Sequence, residues 1–174
     1  IFRGDLSRTR IETILKGDNS ETDKTGVWYP TGDQHIDISL KAYHIGNGTR
    51  CNMNSRAVVD DKARSVYEGL QDVGDMADNT SSFQRERVLT LSDNAEVDAS
   101  PKLMIENPDV EASHAASAGS LPDDQLHYME SRGLSEKTAE RLIVKGFFEP
   151  VMDKIQLPEL KESIRNEVQR KLGE

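Results

Sequence analysis

The chain has 174 residues, of which 35% are hydrophobic, 30% charged and 5% aromatic, and its formal net charge is −9. That length suits one domain, or a domain with a small appendage. The acidic balance excludes a uniformly basic nucleic-acid footprint. The single cysteine, Cys51, excludes an internal disulfide framework, and no apolar run approaches the roughly 20 residues that span a bilayer. Arg85 and Arg87, interleaved with Glu86, are too few for a local phosphate-binding patch, so neither nucleic acid nor membrane is an expected partner. No signal peptide opens the chain, which reads as a cytoplasmic protein. A start at Ile1 rather than Met reads as a fragment or processed product.

From Ile11 to about Gly119 short apolar or alternating runs recur between turn formers. Ile11–Leu15 is the first. Ile36–Leu40 alternates as a half-buried strand should. Ala57–Val59, Ser65–Tyr67, Val88–Leu91, Leu103–Ile105 and Val110 follow. Between them lie Gly46-Asn47-Gly48, Asp60-Asp61, Asp78-Asn79-Thr80, Asp93-Asn94 and Asn107-Pro108-Asp109, all compact turn residues. No apolar stripe at 3.6 spacing lasts three turns, so strands must bury this half. A β-sandwich and a parallel β-helix both satisfy the pattern. Asn-Gly occurs once, at Asn47-Gly48, where a sandwich should show several hairpin signals.

The periodicity changes at Ser120, which divides the chain into a β body, 1–119, and a helical tail, 120–174. Ser120-Leu121-Pro122-Asp123-Asp124 carries a capping hydroxyl, an early proline and two acids. Gly133 ends that helix. Ser135 caps a second, whose apolar stripe is Ala139, Leu142, Ile143, Gly146 and Phe147. Pro158 opens a third with the narrow stripe Leu160, Ile164, Val168 and Leu172. Such a helix needs a neighbour to be stable.

The residues around the seam carry a resemblance. Ala95–Ile105 runs into Asp109–Gly119 with Ser113-His114 inside it, then Leu126-His127-Tyr128-Met129 and Ser131-Arg132-Gly133-Leu134. Upstream, Gln34-His35-Ile36-Asp37, His44, Asn54-Ser55-Arg56 and Tyr67-Glu68-Gly69-Leu70 follow in the same order. This ordered set resembles the SufB/SufD family, the scaffold subunits of the SUF iron–sulfur cluster assembly machinery, from about Ser20 to Ile155. The resemblance implies a right-handed parallel β-helix followed by a small helical domain. It also implies that an N-terminal helical region of the family is missing here.

His114 is the candidate metal ligand that the resemblance singles out, at an interface between subunits. Imidazole suits iron, but one histidine is not a site, and a partner must supply further ligands. The competing reading is a histidine held in a turn between the last strand and Ser120. The departures from the family pattern are informative. SufD-like members can carry a cysteine where Ala112 stands. SufB-like members place a glutamate at Ala115 and a cysteine at Arg85. Without these thiolates and the carboxylate, the chain resembles a supporting SufD-like subunit, or a divergent member that forms a homodimer.

His35 and Asp37 share a strand face with His44 nearby, yet nothing supplies a fourth ligand, and solvated positions are the better reading. Cys51 sits in a polar run as an incidental thiol. Phe147 falls on the helical stripe, whereas Phe148 falls beside it and is the freer partner anchor. No P-loop, HExxH, GxGxxG or nucleophile elbow occurs. Asp60-Asp61 and Asp123-Asp124 read as turn and helix-start residues before acid–base catalysts.

The expectation is therefore a non-catalytic scaffold with no intrinsic cofactor. A transient iron–sulfur cluster or iron would sit at a subunit interface. Its partners would be a SufB-like subunit or a second copy, through the β-helix around His114, and the SUF ATPase subunit (SufC-like), through the tail. Competing readings are a β-helical polysaccharide-acting enzyme, which needs acids along one coil face, and a metal-binding module.

Overall fold

The fold comes from a computed structural model, which describes residues 3–173. Eight strands form four coils of a parallel β-helix, two strands to a coil. The coils are β1 (Leu6–Leu15) with β2 (Glu21–Trp28), β3 (His35–His44) with β4 (Arg50–Val59), β5 (Arg64–Val73) with β6 (Thr80–Thr90), and β7 (Glu96–Ile105) with β8 (Val110–Ser120). Odd strands stack as one sheet and even strands as the other, in the orders β1-β3-β5-β7 and β2-β4-β6-β8. This is the β-helix, not the sandwich.

Register shows why the repeat hides in the sequence. Leu6 pairs with His35 and His35 with Arg64, but Arg64 pairs with Glu96, so the coil lengthens toward the C-terminus. Within a coil the alternation is strict: along β3 each even residue from Ile36 to His44 is buried and each odd one half-buried. The extended backbone has a side-chain period of two, so one face fills the lumen and the other meets solvent. Leu40, Ile38, Ile36, Trp28, Met53, Ala57 and Tyr67 form the lumen core, with Trp28 and Tyr67 stacked at 5.8 Å. The β2 segment, missed by apolar pattern, carries Thr22 and Lys24 and only joins the core at Trp28.

The turns stack as well as the strands. Asn19, Gly48 and Asn79 occupy the same left-handed position in successive coils, with φ of 58°, 63° and 53°. Asn and Gly are the residues that tolerate it. Side chains lace the stack: Asp18 Oδ1 accepts from Asn47 N (2.9 Å), Asn47 Oδ1 from Asp78 N (3.1 Å), and Asp78 Oδ1 from Asn107 Nδ2 (2.7 Å). The compact turn formers in the sequence are thus a ladder parallel to the helix axis.

Beyond β8 come α1 (Asp123–Ser131), α2 (Glu136–Met152) and α3 (Pro158–Lys171). Ser135 caps α2 by accepting from Thr138 N, Gly133 has φ of 90°, and Pro158 stands in the first turn of α3. Ser120 ends β8 rather than capping α1, whose N-cap is Pro122 with no side-chain cap bond. The tail folds back on the second sheet. Val58 and Leu89, register partners, join Tyr29 in a cluster with Val144, Phe148, Met152, Val168 and Leu172. The buried stripe of α2 is therefore Ala139, Val144, Phe148, Val151 and Met152, rotated from the stripe read in the sequence. Phe148 is 2% exposed. Its expected role as a freer anchor for a partner rested on exposure and is corrected: Phe148 faces the β-helix. Phe147 is the half-buried neighbour, with the Arg56 guanidinium 5.0 Å above its ring.

Candidate functional site

The fourth coil is the last of the β-helix, before the helical tail. Among the described residues no strand lies beyond β7 or β8, so both carry an unpaired edge. His114 lies in the middle of β8, not in a turn, and pairs in register with Gln84. Its row along the lumen side is Val110, Ala112, His114, Ala116 and Ala118, stacked over Thr80, Ser82, Gln84, Glu86 and Val88 of β6. The lower row is buried. The upper one is exposed from His114 onward, because no described residue covers it. Small side chains here leave the lumen of the third coil close to the mouth.

Alternation then sorts the positions at which the family resemblance implies ligands. Ala112 and His114 belong to the lumen-side row. Arg85 and Ala115 are register partners on the outer face. A histidine on one face and a carboxylate or thiolate on the other would not converge within one chain.

The lumen between the second and third coils holds a cluster of buried polar groups. Ser55 Oγ, Ser82 Oγ, Gln84 Oε1 and both carboxylate oxygens of Glu86 are buried without a hydrogen-bond partner among the described residues. Ser55 is the register partner of Glu86. Gly69 lies opposite them, where a Cβ would stand 1.9 Å from Gln84 Nε2 and force that side chain to shift. Glu86 is 1% exposed, and burial pushes its carboxyl up to about 8. A carboxylate buried there without a hydrogen-bond partner loses its hydration, which favours the protonated form.

The other sequence-flagged residues do not assemble. His44 is buried in the lumen, with Nδ1 2.8 Å from Thr49 Oγ1 and Nε2 3.2 Å from Gln71 Oε1. Both ring nitrogens are engaged, and burial lowers its pKa. His35 and Asp37 stand on the outer face of the same strand, and Asp37 accepts from Arg8 Nε at 2.8 Å. Cys51 is not in a solvated run but in the core, where burial pushes its thiol up. That makes it inert. No group of three or more His, Cys, Asp or Glu side chains among the described residues could hold a metal ion.

One patch was missed. Arg85 and Arg87 point outward while Glu86 points inward, and register places Arg56 beside Arg87. The end of α2 brings Lys154 to the same cleft. The expectation that Glu86 would dilute these arginines fails for this reason, and the alternation of Gln84–Val88 was the available signal.

Known proteins place the chain. A model of the SUF system FeS cluster assembly SufBD core domain matches residues 1–147. An iron–sulfur cluster assembly protein SufD of Bacillus subtilis is 33% identical over 160 residues, 92% of this chain and 37% of its own length. A SufBD family iron–sulfur cluster assembly protein of Mycobacterium bovis is 29% identical over 177 residues, 97% of this chain and 45% of that protein. The chain thus spans less than half the length of these relatives. With a parallel β-helix, a helical tail and this match over most of its residues, the chain belongs to the SufBD family of SUF iron–sulfur cluster assembly proteins.

Proposed function

We propose that the chain is a non-catalytic scaffold subunit of the SUF machinery, in which the open fourth coil is the assembly surface. The observation that supports this is the uncovered row Ala112, His114, Ala116 and Ala118 between two unpaired strand edges. An exposed parallel edge is a template for another chain's strand. A SufB-like subunit or a second copy would pair there and cover the small side chains. His114 would then face the partner, one imidazole ligand for iron or a nascent iron–sulfur cluster, with the remaining ligands on the partner. The cluster is cargo in this scheme. The tail would receive the SUF ATPase subunit through its exposed apolar side chains, Tyr128, Leu142, Leu157 and Leu160.

Ala118→Lys tests the edge. The residue is exposed in the free chain, so the fold tolerates the charge, while an apposed partner strand would have to bury it. Co-purification with the SufB-like subunit should be lost while circular dichroism is unchanged; retained co-purification sinks the edge. The ATPase is tested by Tyr128→Ala with Leu142→Glu rather than by removing the tail, since its removal would uncover Tyr29, Val58 and Leu89. ATPase capture equal to wild type by a folded double variant would refute docking through these residues.

A further inference from the structure

We infer that the cleft between the second sheet and the end of α2 is a binding site for a phosphate-class oxyanion, held by Arg56, Arg85, Arg87 and Lys154. The cleft measures about 240 Å³ and is lined by these four cations together with Asn54, Ser55, Pro150 and Val151. Its size suits an inorganic phosphate, a pyrophosphate or a phosphomonoester head, not a whole nucleotide. Among the described residues no carboxylate lines it. In a chain of net charge −9, four cations converging without an acid are a built feature, not an average of the surface.

The arrangement follows from two geometric facts. Parallel register sets Asn54 beside Arg85 and Arg56 beside Arg87 on the outer face. Strand alternation removes Glu86, the one intervening acid, into the lumen. The nearby acids of the tail are engaged elsewhere: Glu149 by Arg165 and Asp153 by Lys161. Arg56 is the anchored member. It donates to the Phe147 carbonyl oxygen and lies over the Phe147 ring. Burial, then Arg87 and Arg85, depress its pKa. The like charges therefore act on one another across the cleft. A doubly charged anion would relieve that repulsion, and guanidinium forks match its oxygens in a bidentate manner. Bound there, the anion would tie β4 and β6 to the end of α2, bracing the tail against the β-helix.

Titrate the 174-residue chain calorimetrically with sodium phosphate and sodium pyrophosphate against sodium chloride at matched ionic strength. Saturable binding of one anion per chain is expected, weakened at least tenfold by Arg85→Gln with Arg87→Gln, and unchanged by Arg50→Gln. Without added anion the double variant should melt at or above the wild-type temperature, because repulsion is removed; phosphate should raise the melting temperature of the wild type alone. Binding that chloride abolishes at equal ionic strength would overturn the site. So would equal binding by the folded double variant, or binding of a glutamate-rich peptide where neither phosphate compound binds.

Discussion

Replacing Glu86 by Gln tests whether the lumen of the third coil holds a neutral carboxyl. Burial moves that carboxyl from an ordinary 4.5 to about 8. Below pH 4.5 it is protonated in both the folded and unfolded chain and costs nothing. Between those two values the folded chain keeps a proton that the unfolded chain releases. Stability then falls as pH rises, by ~1.4 kcal/mol per pH unit, and levels off above about pH 8, where both forms are ionised. The full span amounts to about 5 kcal/mol, a ceiling, because water entering through the open fourth coil would hydrate the charge. Glutamine keeps the volume and cannot ionise. Urea unfolding of wild type and Glu86→Gln, followed from pH 5 to 9, should give curves that nearly meet at pH 5. They should diverge so that the variant is the more stable by several kcal/mol at pH 8. Parallel curves would refute the reasoning, as would a variant less stable than wild type at pH 8.

Other substitutions probe the packing around the same sites. Gly69→Ala puts a Cβ 1.9 Å from Gln84 Nε2 and 2.8 Å from the Tyr67 hydroxyl, which should cost roughly 1–3 kcal/mol in urea unfolding. Adding Gln84→Ala should recover part of the loss, and no recovery would show that the clash lies elsewhere. Phe148→Ala empties the centre of the contact between tail and β-helix, at about 3–5 kcal/mol. Limited proteolysis should then cut first within residues 120–174; a cleavage pattern like that of wild type would mean that the tail is held by other contacts. Ala118→Lys and the phosphate titration above probe the two faces of β8 and β6 independently, so failure of one leaves the other standing.

Much of the architecture is written locally. The strand class, the break at Ser120, the Ser135 cap and the Asn, Asp and Gly turns all follow from short-range rules of alternation, capping and left-handed backbone. The ordered segments from Gln34 to Leu134 also carried the family. The coil period was harder to see because it stretches, with Leu6 pairing to His35 but Arg64 to Glu96, so that no fixed offset aligns the strands. β2 was missed because it carries Thr22, Lys24 and Thr25 and gives the core only Trp28, so it shows no apolar alternation.

What the tertiary structure alone decided depends on distance along the chain. Alternation could have told Arg85 and Arg87 from Glu86, but only register across coils puts Arg56 next to Arg87, and only the tail's return brings Lys154 to them. Phe148 and Phe147 differ by one helical step of about 100°, too fine for a stripe read from sequence when the surface it packs against is unknown. His114 was legible as a residue from the family pattern. Its place in the exposed row over Gln84 and Glu86 was not, because that row is uncovered only where the stack of coils ends.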